Sequence, residues 1–225
     1  MKKIITSILF TGILVSCNQG TTEKPETSVE VKTEITTDAA EEMKSFEEIN
    51  SDEALIATAL MAAPEASRKG CTVIGYNMAG EFVTLKEGSN EFICLADDPN
   101  KEGFSAACYH KSLEPFMARG RDLKAEGKSH GEIFDIREEE VKSGKLEMGK
   151  TGSTLHIYYS AKAGYNPETN EVDEAQYRYV VYMPYATAES TGLAESPVAP
   201  NHPWIMNPGT HRAHIMITPL EGEEK

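Results

Sequence analysis

The runs Cys71-Thr72-Val73-Ile74-Gly75-Tyr76, Glu81-Phe82-Val83-Thr84-Leu85 and Glu91-Phe92-Ile93-Cys94-Leu95-Ala96 decide the fold. Each is short and rich in β-branched or aromatic residues, which suit a pleated, half-buried surface. Met78-Ala79-Gly80 and Glu87-Gly88-Ser89-Asn90 separate them. Turns this short between such runs predict three strands in an antiparallel meander. On the N-terminal side, Asn50-Ser51-Asp52-Glu53 places a cap three residues ahead of a glutamate, and Ala54 to Met61 follows as an apolar helix that Pro64 ends. On the C-terminal side, Ser112 caps a helix with Pro115 in its first turn, where a missing N–H costs little. Leu113, Phe116, Met117 and Leu123 form its apolar side. Ser129-His130-Gly131-Glu132 is a capping box for a second, strongly charged helix ending near Gly144. Strand character returns at Leu155 to Lys162, Gln176 to Met183 and His211 to Thr218. Strands and helices come in separate blocks, which predicts a single α+β domain over 43–225 with a mostly antiparallel sheet and a few packed helices.

Acidic residues outnumber basic ones 36 to 22, for a net charge of −14. Neutralising phosphates needs clustered Lys and Arg, so nucleic acid is excluded as a partner. The N-terminus reads as an address. Lys2 and Lys3 precede the apolar run Ile4 to Val15, which is too short to span a bilayer as a helix and has the layout of a signal peptide, 1–16. Leu14-Val15-Ser16-Cys17 resembles the lipobox of bacterial lipoproteins. That resemblance implies cleavage before Cys17, acylation of Cys17, and a membrane-anchored protein of the cell envelope, on the periplasmic or surface face of the outer membrane. Cleavage would remove two lysines and no acid, taking the net charge from −14 to −16, so lipid rather than charge does the anchoring. After Cys17, Asn18 to Glu42 holds seven acids, two lysines and no aromatic residue, and is expected to be a disordered acidic tether.

Three cysteines remain: Cys71, Cys94 and Cys108. In an oxidising compartment three leaves one over, and three pairings are open. Cys94–Cys108 would close a 15-residue loop, worth about 3 kcal/mol in the chain-entropy picture. It would staple Leu95 to Ala107, a segment of Asp, Pro, Asn and Gly with little core of its own. The reading therefore expects that bridge and a buried Cys71. An alternative makes Cys108 a nucleophile beside His110, two residues on and so on the same strand face, just ahead of a helix N-terminus that lowers a thiol's pKa. A further alternative is a metal-assisted hydrolase near His202, His211 and His214. Zinc needs three or four converging ligands, but strand geometry points His211 and His214 to opposite faces, so no metal and no cofactor is expected. Tyr177, Tyr179, Tyr182 and Tyr185, with Tyr158 and Tyr159, read as strand core and cross-strand pairs, or else as a stacking surface. No phosphate loop, dinucleotide fingerprint, nucleophile elbow or zinc-protease motif is present.

The segment Pro184 to Gly209 is 26 residues long and contains five prolines, two glycines and the only tryptophan, Trp204. Four of those prolines lower the entropy lost on ordering it. The reading expects an ordered loop with Trp204 packed on the sheet near the His211 strand, and Trp204, His202 and His211 bordering the main pocket. Its ligand would be a small molecule or an envelope component.

Ile93 to Pro99, Ala107 to Gly120, Tyr182 to Gly192, Trp204 to Thr210 and His214 to Ile217 together resemble a family of exported bacterial proteins of unknown function. The resemblance spans roughly Cys71 to Pro219. It implies an exported single domain and transfers no catalytic role.

Overall fold

The computed structural model describes residues 45–219; the expected signal peptide, Cys17 and the acidic tether lie outside them. In chain order the elements are β1 (Glu47–Glu48), α1 (Asp52–Met61), β2 (Thr72–Tyr76), β3 (Phe82–Lys86), β4 (Phe92–Leu95), β5 (Phe104–His110), α2 (Glu114–Ala125), α3 (His130–Lys142), β6 (Thr154–Ser160), β7 (Gly164–Tyr165), β8 (Gln176–Tyr182), α4 (Ala188–Thr191), β9 (Trp204–Met206) and β10 (His214–Ile217). Eight strands form one sheet in the order β3-β2-β4-β5-β6-β8-β10-β9, and β1 pairs with β7. Every neighbour in the large sheet is antiparallel except β2 with β4. The domain is therefore α+β with a mostly antiparallel sheet, as expected.

The meander is corrected at one point. β3 turns back along the outer edge of β2, and the chain then crosses the start of β2 so that β4 runs parallel on its other side. The crossing is tight. Ser89 and Asn90 both donate backbone N–H bonds to the Gly70 carbonyl, at 2.8 and 3.0 Å. A side chain at Gly88 would run into the Thr72 amide and the Cys71 carbonyl carbon. Only glycine lets the two backbones pass there.

Side chains alternate across the sheet and build two cores. Beneath α1 lie Leu55, Ala59, Val73, Phe104, Ala106 and Tyr158, with all three cysteines. On the opposite face α2 and α3 cover Tyr109, Phe116, Val180, Tyr182 and Met216. Tyr158 and Tyr177 are register partners with stacked rings, the cross-strand pairing the sequence suggested.

Local chemistry sets the helix starts. Ser51, not Asn50, caps α1 by accepting from the Ala54 amide at 3.1 Å. The capping box of Ser129 and Glu132 forms in full at the start of α3. Before α2 the chain makes a 3₁₀ turn over Lys111–Leu113, and the His110 ring accepts the Ser112 amide, so Ser112 does not cap α2. The segment Leu95–Ala107 is corrected more deeply. Its last four residues, Phe104 to Ala107, enter β5, a central strand with Phe104, Ala106 and Cys108 buried. Its small residues carry little strand propensity, so burial between β4 and β6 rather than local preference makes it a strand.

Candidate functional site

The segment Pro184–Gly209 is ordered by its own hydrogen bonds. Thr187 and Ser190 form a reciprocal cap around α4, and Gly192 ends that helix in the left-handed conformation. The Ile205 amide donates to the Ala194 carbonyl at 2.9 Å, which folds the loop against β9 at the sheet edge. β9 then pairs with β10, setting Trp204 opposite Met216.

That pairing makes one wall of a cleft of about 660 Å³. Trp204, Met206 and Met216 line the cleft from the sheet, and Pro197 to Asn201 line it from the loop. Among the described residues, Arg178 is the one charged side chain in the lining. It projects from β8 on the face that carries Val180 and Tyr182, and its guanidinium sits 4.6 Å from the centre of the Tyr159 ring. The aromatic face supports the cation while leaving N–H groups for a ligand. The cleft can take an apolar group with an anionic end, because a planar fork of N–H donors matches a carboxylate or phosphate.

Trp204 thus sits in β9 of the sheet and lines this cleft, half-buried. The two histidines are elsewhere. His202 is exposed, and its Nδ1 is bonded to the Pro203 carbonyl at 3.0 Å. His211 is fully buried against α3. Its backbone amide donates to Glu138 at 2.8 Å, and its Nδ1 contacts the same carboxylate oxygen. The Phe134 and Phe116 rings flank it at 4.8 and 5.6 Å. Burial holds His211 below its ordinary pKa despite the opposing pull of Glu138. Burial also lowers His214, whose Nδ1 is bonded to the Arg212 carbonyl at 2.7 Å. The late histidines therefore lock the turn before β10 onto α3 and the sheet. Among the described residues they meet no third metal ligand.

The proposed nucleophile is also corrected. Cys108 is fully buried beneath α1. His110 turns to Ser112, with Nδ1 2.8 Å from its Oγ, and Ser112 Oγ is 3.0 Å from Ser153 Oγ. That local contact is fixed by the 3₁₀ turn and does not reach the thiol. Cys108, His110 and the late histidines occupy separate places rather than one pocket.

The expected bridge is not formed: Cys71, Cys94 and Cys108 are free thiols. Cys94 and Cys108 are direct partners across β4 and β5. Directly opposed residues hold their Cβ atoms about 4.5–5.5 Å apart, whereas a disulfide needs about 3.5–4.5 Å. The sheet register thus sets the two thiols opposite one another without joining them.

Arg178 escaped the sequence reading, though a signal existed. It is a cation in the same strand phase as Val180 and Tyr182, which face the core. No known protein family, curated protein or solved structure matches the chain.

Proposed function

We propose that this protein is a lipid-anchored component of the bacterial cell envelope whose domain is a binding module, taking an apolar ligand with an anionic group into the Trp204 cleft. The cleft carries this reading: apolar walls with the Arg178 guanidinium as the one charge among the described lining residues, on a chain whose net charge is −14. An anion approaching the domain meets general repulsion and one local attraction, so Arg178 selects the end of the ligand that enters beside it. The walls select the apolar remainder. The Leu14-Val15-Ser16-Cys17 motif and the acidic composition of Asn18 to Glu42 support the envelope location. The scattered positions of Cys108, His110 and His211 favour binding over thiol or metal-assisted hydrolysis.

Two measurements test the two halves. Cells expressing the full chain should incorporate labelled palmitate into it, and Cys17→Ala should abolish the label; undiminished labelling in the variant contradicts the anchor. For the cleft, calorimetry with dodecanoate and with its methyl ester should show the acid binding about tenfold tighter, the worth of a charge-assisted hydrogen bond of about 1.4 kcal/mol. Arg178→Gln should erase that preference without lowering the melting temperature. Equal affinity for acid and ester in the wild type contradicts the assigned role of Arg178.

A further inference from the structure

We propose that Cys71, Cys94 and Cys108 form a three-thiolate site for one soft metal ion of the Cu(I) class. The three Sγ atoms lie within 4.8 Å of one another, and all three residues are fully buried. They come from three adjacent stretches of the sheet: Cys71 just ahead of β2, Cys94 in β4 and Cys108 in β5. The register puts them on the face beneath α1. With metal–sulfur bonds of about 2.3 Å, three sulfurs around an ion in one plane are about 4 Å apart. The cluster needs only a small contraction to reach that spacing.

The donor set decides the class of ion. Three thiolates are soft ligands and exclude magnesium and calcium, which take oxygen. Structural zinc almost always has four ligands, and no histidine, aspartate or glutamate among the described residues joins these three. Cu(I) is a soft d¹⁰ ion that three sulfurs satisfy. Two polar side chains border the cluster: Lys86 donates to the Cys71 carbonyl at 2.8 Å, and Asn90 directs its side-chain amide at Cys71 Sγ, 3.9 Å away. Without an ion, burial pushes the Cys71 thiol up to about 11, and its neighbour Cys108 and then burial push Cys94 higher still. Each thiol that ligates gives its proton to solvent, so affinity rises with pH. Because α1 covers the cluster, loading accompanies folding or the lifting of α1.

The test uses the full chain carrying Cys17→Ala, so that only these three thiols remain. Refolded without oxygen and titrated with Cu(I) against a chromophoric chelator, it should withdraw one equivalent per chain. A sulfur-to-copper absorption band should appear, and the melting temperature should rise. X-ray absorption on the loaded protein should report three sulfur neighbours, a readout that needs no further variant. Cys71→Ala and Cys108→Ala should each weaken uptake at least a hundredfold while circular dichroism reports a folded chain. Affinity should fall from pH 8 to pH 6. Failure to withdraw Cu(I), uptake unchanged in Cys108→Ala, or a Cys94–Cys108 disulfide in the protein as isolated overturns the proposal.

Discussion

Phe116→Ala should lower stability by about 3–5 kcal/mol, the range for deleting a fully buried aromatic ring. Phe116 is 1% exposed at the centre of the core beneath α2 and α3. Its ring does more than fill space. The Arg137 guanidinium lies 3.9 Å from its centre, and the Tyr182 and His211 rings meet it edge-on at 6.0 and 5.6 Å. Arg137 is itself buried, and its Nε has no hydrogen-bond partner among the described residues. Burial holds its pKa down to about 10. Removing the ring leaves a cavity beside a desolvated cation, which places the loss toward the upper end of the range. For a chain of this size each kcal/mol moves the melting temperature by about 2–4 °C, so a drop on the order of 10 °C is expected. Phe116→Leu, which keeps much of the apolar volume, should fall between the two proteins. A Phe116→Ala variant that melts within a degree of wild type would mean that this core is not arranged as described.

Acid should destabilise the domain above the ordinary carboxylate range. His156, His211 and His214 are all held below their ordinary pKa, mainly by burial. In the unfolded chain each titrates near 6.5. Between the folded and unfolded values the unfolded chain binds protons that the folded one rejects, so stability rises with pH in that window. The contribution is complete above about pH 7.5 and is lost as pH falls through 6.5. Each such proton is worth about 1.4 kcal/mol per pH unit, so three give a slope of up to about 4 kcal/mol per unit. Arg137 and Arg212, which face His211, act in the same direction, and Glu138 opposes them. Asp97 runs the other way. Burial raises it to about 6, so it favours the fold below the ordinary carboxylate range and loses that contribution as pH rises through 6. One opposing proton does not offset three. The urea midpoint should therefore fall steadily from pH 7.5 to pH 5.5, and a variant with His156→Gln and His214→Gln should flatten the profile. A midpoint that stays level or rises toward acid contradicts the burial assigned to these histidines.

How much was legible in the sequence varied with the range of the interaction. Ser129 and Glu132 announce α3 because a cap is settled within four residues. Trp204 announces an ordered loop because one large apolar surface among prolines needs a place to pack. β5 was half hidden, because Ser105, Ala106 and Ala107 become a strand only through neighbours on both sides. The parallel pairing of β2 with β4 depends on a backbone crossing at Gly88, which no local pattern encodes. The cysteines show the same limit. Spacing suggested a pair, Cys94 with Cys108, and the register does set those two opposite one another. The third member, Cys71, joins them only because β2 lies beside β4. Arg178 and Met216, distant in sequence, share the cleft because β8 pairs with β10.

The central claim is that the Trp204 cleft binds an apolar anion. Trp204 is the only tryptophan, so its emission reports on that cleft alone. Titrating the full chain with dodecanoate at pH 7.5 should give a saturable change in intensity and wavelength as the half-exposed indole is covered. The change should weaken at least tenfold in Arg178→Gln. Emission that does not respond to dodecanoate, or that drifts without saturating and does so identically in Arg178→Gln, would contradict the account.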